Sequence, residues 1–267
     1  QNAESYRRIR NTARYILGTI NDFDYNSDKV AYENLHDIDK WALHKLEELK
    51  TKVTEYYEKY EFYNLLQEIN YFAGVDMSAF YLDILKDRLY VSGKNSMARR
   101  AAQTVMYEVL AAMTKMIAPV LSFTAEEIWQ SLPANLRPAE SILLKKKKKK
   151  NGSWINSDLD EKWSKIITLR GSVNKVLEGL RKEKVIGHSL NAKVELYSEN
   201  SDYAEFLKNI VGELEDVFIV SGVEIAASKD DSFVKSEDIE GLFIRAGKAA
   251  GEKCERCWKY SEELGKE

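Results

Sequence analysis

The chain has 267 residues, 44% of them hydrophobic and 31% charged, with 40 Lys and Arg against 43 Asp and Glu and a net charge of −3. That length holds one large domain or a domain with a smaller companion. No run of about 18 apolar residues is present, which excludes a membrane-spanning helix. Without a global basic field, any nucleic-acid contact must come from local patches.

Residues 4 to 21 read as a two-faced helix, with Tyr6, Ile9, Ala13, Ile16, Leu17 and Ile20 forming the apolar stripe. Asn21 to Asp37 is Asp- and Asn-rich and reads as a long loop. A second helix carries Ile38, Trp41, Leu46, Leu49, Val53 and Tyr60. Two further helical segments, 62–73 and 77–91, are expected to be separated at Gly74-Val75-Asp76. Ser96 to Ala118 is the clearest helix and Pro119 ends it; Thr124-Ala-Glu-Glu127 has the spacing of a capping box opening one more.

After Pro133 the chain changes character. Residues 133–157 hold the lysine run Lys145 to Lys150 and Asn151-Gly152-Ser153, and read as a boundary or a linker. Asp158 to Lys184 returns to helical spacing. Val194–Tyr197, Val217–Val220, Val223–Ala227 and Leu242–Ala246 read as strands, with a helix over Asp202–Leu214. The fold class expected is mainly α. A helical bundle over 1–133 precedes a linker or insertion over 134–157. A long helix then leads into a small α/β subdomain over 158–250, and a cysteine-containing tail covers 251–267.

On the first helix Arg7, Arg10, Asn11 and Arg14 share one side. Three guanidiniums so close repel one another unless a polyanion or neighbouring carboxylates compensate them. Lys86 and Arg88 close a later segment, where the helix dipole alone favours cations. Arg99 and Arg100 open a helix, where the dipole disfavours them, so each is expected to have a carboxylate or phosphate partner. Trp41, Trp129, Phe80 and Tyr81 lie on apolar stripes and read as core. Cys254 and Cys257 have the C-x-x-C spacing that lets two thiolates share a zinc ion, but a tetrahedral site wants four ligands and there is no other cysteine. The three histidines, His36, His44 and His188, read as incidental. No nucleophile–base constellation is readable.

Several strings resemble the class I aminoacyl-tRNA synthetases for branched-chain amino acids. Tyr6-Arg-Arg-Ile-Arg-Asn-Thr-Ala-Arg14 is similar to the first helix of their anticodon-binding bundle, and Asp39-Lys-Trp-Ala-Leu43 and Tyr60-Glu-Phe-Tyr63 to its next pair. Val75-Asp-Met-Ser-Ala-Phe-Tyr-Leu-Asp-Ile-Leu-Lys-Asp-Arg-Leu-Tyr90 resembles the isoleucine-specific members in particular. Arg99 to Tyr107, Ala118 to Trp129 and Lys184 to Val194 continue the likeness in order, and Gly251-Glu-Lys-Cys-Glu-Arg-Cys-Trp258 resembles the first half of a C-terminal zinc module.

The resemblance implies an antiparallel anticodon-binding bundle in a C-terminal piece of a longer cytoplasmic, monomeric ligase. Its partner would be isoleucine tRNA, contacted by Arg7, Arg10, Asn11, Arg14, Lys86, Arg88, Arg99 and Arg100. The tail would hold half a zinc site, on Cys254 and Cys257. ATP would be used by a catalytic part absent from this chain, which has no His-Ile-Gly-His or Lys-Met-Ser-Lys-Ser motif. The alternatives are the equivalent domain of a valine- or leucine-specific relative, and a helical protein-interaction module with a metal-bound tail.

Overall fold

Residues 2–144 and 152–264 are described by the computed structural model, which is mainly helical with a small sheet region. The run Lys145–Lys150 lies outside the described residues. The chain divides into two units, Gln1–Glu161 and Lys162–Glu267.

In the first unit, α1 (Asn2–Thr19) buries Ile9, Ala13 and Ile16, and Ile20 follows them inward just past its end. α2 (Asp37–Glu58) buries Ile38, Trp41, Leu46, Leu49 and Val53, as its spacing predicts. α3 (Phe62–Tyr71) runs without interruption into a π-helical stretch, Phe72–Tyr81, followed by the short helices α4 (Leu82–Ile84) and α5 (Lys86–Tyr90). α6 (Met97–Ile117) opens at Ser96, whose hydroxyl accepts the Arg99 N–H at 3.3 Å. Every residue from Arg100 to Ala111 is buried. A helix apolar and buried all round belongs at the centre of its domain, and α6 packs on α1, α2, α5 and α7 (Ser122–Gln130).

The break expected at Gly74-Val75-Asp76 does not occur. The helix widens there instead. Phe72, Ala73, Met77, Phe80 and Tyr81 stay on one buried face through it, so the apolar stripe carries across the glycine without a break. The Thr12 hydroxyl of α1 sits 3.2 Å from the Ala73 carbonyl and 2.8 Å from the Ser78 hydroxyl, tying the widened stretch to its neighbour. The capping box at Thr124 is also absent: α7 begins at Ser122, and Leu121 precedes it without a side-chain cap.

The Asp- and Asn-rich loop is pinned. Arg99 donates through two nitrogens to Asp22 at 2.8 and 2.9 Å, Tyr25 donates to the buried Glu108 at 2.6 Å, and the Val30 N–H donates to Thr104 at 3.1 Å. The stretch after Pro133, read as a boundary or a linker, is packed against the helices at several described residues. Leu136 and Ile142 are fully buried, Tyr107 donates to the Leu136 carbonyl at 3.0 Å, and Trp129 donates to the Ala139 carbonyl at 2.9 Å. Leu136 stands alone among polar groups and Ile142 opens a three-residue apolar run whose other members are exposed, so neither shows a periodicity.

His44 is not incidental either. It is 3% exposed, and its Nδ1 accepts the Asn156 N–H at 3.0 Å, which places the ring proton on Nε2. That proton faces Glu48 and Asp160 at 3.5 and 3.9 Å, and Lys45 already lies 2.6 and 3.3 Å from the same two carboxylates. With the imidazole lone pair engaged and an ammonium in place, the group is a clasp on the first turn of α8 (Ser157–Lys182), not a cation site.

In the second unit α8 continues with Trp163, Ile166, Leu169, Val173 and Leu177 buried. A four-stranded sheet is ordered β2-β1-β4-β3, from β1 (Ala192–Ser198), β2 (Gly222–Ile225), β3 (Val234–Lys235) and β4 (Leu242–Lys248). β1 pairs parallel with β2 and antiparallel with β4, and α9 (Ser201–Phe218) makes the crossover that a parallel pair requires. The strand expected at Val217–Val220 is instead the end of α9 and its left-handed cap, Ile219 at φ 57°. Leu207, Ile210, Leu214 and Val217 keep helical spacing, and that burial outweighs the β-branched run. A separate hairpin joins β5 (Glu252–Lys253) to β6 (Tyr260–Ser261).

Candidate nucleic-acid interface

The burial of Ile9, Ala13, Ile16 and Ile20 turns the opposite side of α1 outward. Arg7, Asn11 and Arg14 are exposed on it, and among the described residues none of them has a hydrogen bond or ion pair. Arg10, beside them, donates to Glu127 of α7 at 3.0 Å, with both side chains about half exposed. Arg8, just off the face, is tied to Glu4 at 2.7 Å.

The other predicted cations stand apart from this group. Lys86 is exposed and paired with Asp83 at 2.8 Å, the local pairing that i, i+3 spacing allows. Arg88 turns inward to the fully buried Asp39, at 2.8 Å. Arg99 is committed to Asp22, and its hydrogen bond is the main cause that holds the Asp22 carboxyl at about 2. Arg100 is buried, donating to the Asp22 carbonyl at 3.1 Å and to Gln103 at 2.8 Å, with Asp28 at 3.3 Å. The partners expected for the two arginines opening α6 are therefore carboxylates and carbonyls of the loop, more than seventy positions away in sequence.

Trp41, Trp129, Phe80 and Tyr81 are buried. Two aromatics that the sequence reading passed over are not. Phe123 is 94% exposed at the start of α7, and Trp258 is 60% exposed beside the cysteines. Phe123 precedes the Ala125, Ile128, Trp129 stripe, and that offset was the only signal of its exposure.

Cys254 and Cys257 sit in the turn between β5 and β6, both half-buried thiols. The backbone N–H groups of Cys257 and Arg256 aim at the Cys254 sulfur and hold its thiol below the ordinary range. Trp258 closes the turn at φ 65°, its N–H donating to the Cys254 carbonyl at 2.9 Å, with Lys253 5.0 Å above its ring. Gly251 is required here: at φ 89° a Cβ would lie 2.2 Å from the Ser261 carbonyl carbon. The turn thus brings both cysteines of the C-x-x-C string into one short connection.

The first helix of this mainly helical unit therefore presents Arg7 and Arg14 exposed and, among the described residues, without an ion pair. Residues 39–196, more than half of the chain, match the family described as the anticodon-binding domain of tRNA ligase, and the chain belongs to that family. It is 47% identical over 263 residues to an isoleucine–tRNA ligase of Geobacter sulfurreducens, covering 98% of this chain and 28% of that protein. A Kosmotoga olearia isoleucine–tRNA ligase is 47% identical over 266 residues, covering 99% and 28%. One of Caldicellulosiruptor saccharolyticus is 45% identical over 267 residues, covering 100% and 28%, so the likeness includes α1. The chain thus spans under a third of the length of these relatives.

Proposed function

We propose that this chain recognises the anticodon side of an isoleucine tRNA as part of an isoleucine–tRNA ligase, with the outward face of α1 holding the RNA backbone. The observation that carries this reading is the set Arg7, Asn11 and Arg14, aligned, exposed and without an internal partner among the described residues. Guanidiniums there bind phosphates and set the register, while amide and aromatic groups read splayed bases. Arg10 joins them when RNA competes with Glu127. Attachment of isoleucine with ATP belongs to the portion of the relatives that this chain does not match.

The cysteine turn fits one half of a structural zinc site, Cys254 and Cys257 supplying two thiolates and the metal fastening the hairpin. Two further ligands from elsewhere in the intact ligase would complete it. Both thiols stay reduced in a cytoplasmic protein.

Fluorescence-anisotropy titration with isoleucine and valine tRNAs at several salt concentrations tests the reading. Isoleucine tRNA binds more tightly, and Arg7→Ala and Arg14→Ala each lower the slope of log affinity against log salt by about 0.7–0.9. Equal affinity for both tRNAs, or full binding by the double variant, overturns it.

A further inference from the structure

Gly18 has no internal reason to be glycine. It lies within α1 on right-handed backbone, so no positive φ calls for it, and a Cβ built there meets nothing within 4 Å. A glycine inside a helix is unfavourable relative to alanine. The fold alone would gain from a side chain at this position.

Its place on the helix is informative. At about 3.6 residues per turn, Ala3, Arg7, Asn11, Arg14 and Gly18 fall within roughly 100° of arc. All five are exposed, and the arc is opposite the buried Ile9, Ile16 and Ile20. The acid nearest this arc, Glu4 at its edge, is tied to Arg8 at 2.7 Å. Arg7 and Gly18 are separated by about 16 Å along the axis at 1.5 Å per residue. The face is therefore basic at its middle and bare at its end.

We infer that Gly18 is the point of closest approach between α1 and the RNA strand. Held by Arg7 and Arg14, the sugar-phosphate backbone runs along the helix and lies against its bare surface at Gly18, where any side chain would lift it away. The inference rests on the reading of α1 as an RNA-binding face and adds the direction and closeness of the strand.

The test uses this 267-residue chain with an isoleucine tRNA transcript. Gly18→Ala and Gly18→Gln each raise the melting temperature by about 1–3 °C, because both residues favour the helix. Affinity falls about 2-fold in Gly18→Ala and at least 10-fold in Gly18→Gln, while the salt slope stays as it was, since no phosphate contact has been removed. Gly212→Gln on α9, an exposed helical glycine with equally open space, gains the same stability and leaves affinity alone. If Gly18→Gln binds like the unaltered chain while Arg7→Ala and Arg14→Ala weaken binding, the close approach is overturned and the interface stands. If neither arginine variant changes affinity, or the unaltered chain does not bind, the underlying reading falls and the inference with it.

Discussion

Arg88 donates from one guanidinium nitrogen to both oxygens of Asp39, at 3.1 and 2.8 Å, and Asp39 is completely buried. The Tyr81 hydroxyl adds a third hydrogen bond at 2.8 Å. Asp39 opens α2 and Arg88 lies on α5, so the pair locks two elements that are 49 residues apart. Removing one partner leaves a carboxylate without water or counter-charge. Arg88→Ala is expected to cost about 3–5 kcal/mol in urea unfolding, whereas Lys86→Ala, two residues away but on the surface, costs less than about 1 kcal/mol. Similar small losses for both would mean that Asp39 is not held by Arg88.

The Asp22 carboxyl, ordinarily at 3.8, is lowered to about 2, first by its hydrogen bond from Arg99. A depressed carboxylate contributes stability that is complete above its unfolded value and is lost as pH falls through the folded one. Stability should therefore drop between about pH 4 and pH 2 as the loop is released from α6. Asp22→Asn flattens that limb and lowers stability at pH 7. Melting curves across this range check it, and an unchanged acid limb in the variant would contradict it.

Asp76, in the π-helical stretch, behaves in the opposite sense. Burial raises it from 3.8 to about 6, with Glu48 and Asp160 adding to the rise. The folded state then holds a proton that the unfolded state has released, so stability declines as pH rises from about 4 to about 6. Asp76→Asn removes this cost, and its melting temperature at pH 7.5 should exceed that of the unaltered chain by a few degrees. A lower melting temperature would show that the ionised carboxylate is needed.

Arg10 and Glu127 form an exposed bridge at 3.0 Å, of the kind that adds little to stability. Glu127→Gln should shift the melting temperature by less than about 2 °C while releasing Arg10 to RNA. The expected gain in tRNA affinity is 2- to 5-fold, with a steeper salt dependence. Unchanged affinity would place Arg10 outside the contact.

Much of the helical layout was legible because apolar residues recur at helical spacing: Ala101 through Ile117 announce α6, and Ile9, Ala13 and Ile16 give α1 its orientation. That orientation also fixed which side Arg7, Asn11 and Arg14 present. Three kinds of information were not legible. Gly74 and Asp76 look like a break, and nothing local says that the helix can widen to absorb them. Arg88, Arg99 and Arg100 look like the cations of α1 in composition, and only distant Asp39, Asp22 and Asp28 separate the internal pairs from the free guanidiniums. His44 gained its role from Asn156, 112 residues later.

The all-round burial of α6 also sets an order in time. The chain is made from its first residue onward, so α1, α2 and α5 leave the ribosome before the helix they enclose. Until Ile117 has emerged, the sides of α1, α2 and α5 that pack on α6 lack that partner. The bundle thus closes around a helix made after three of the elements that enclose it.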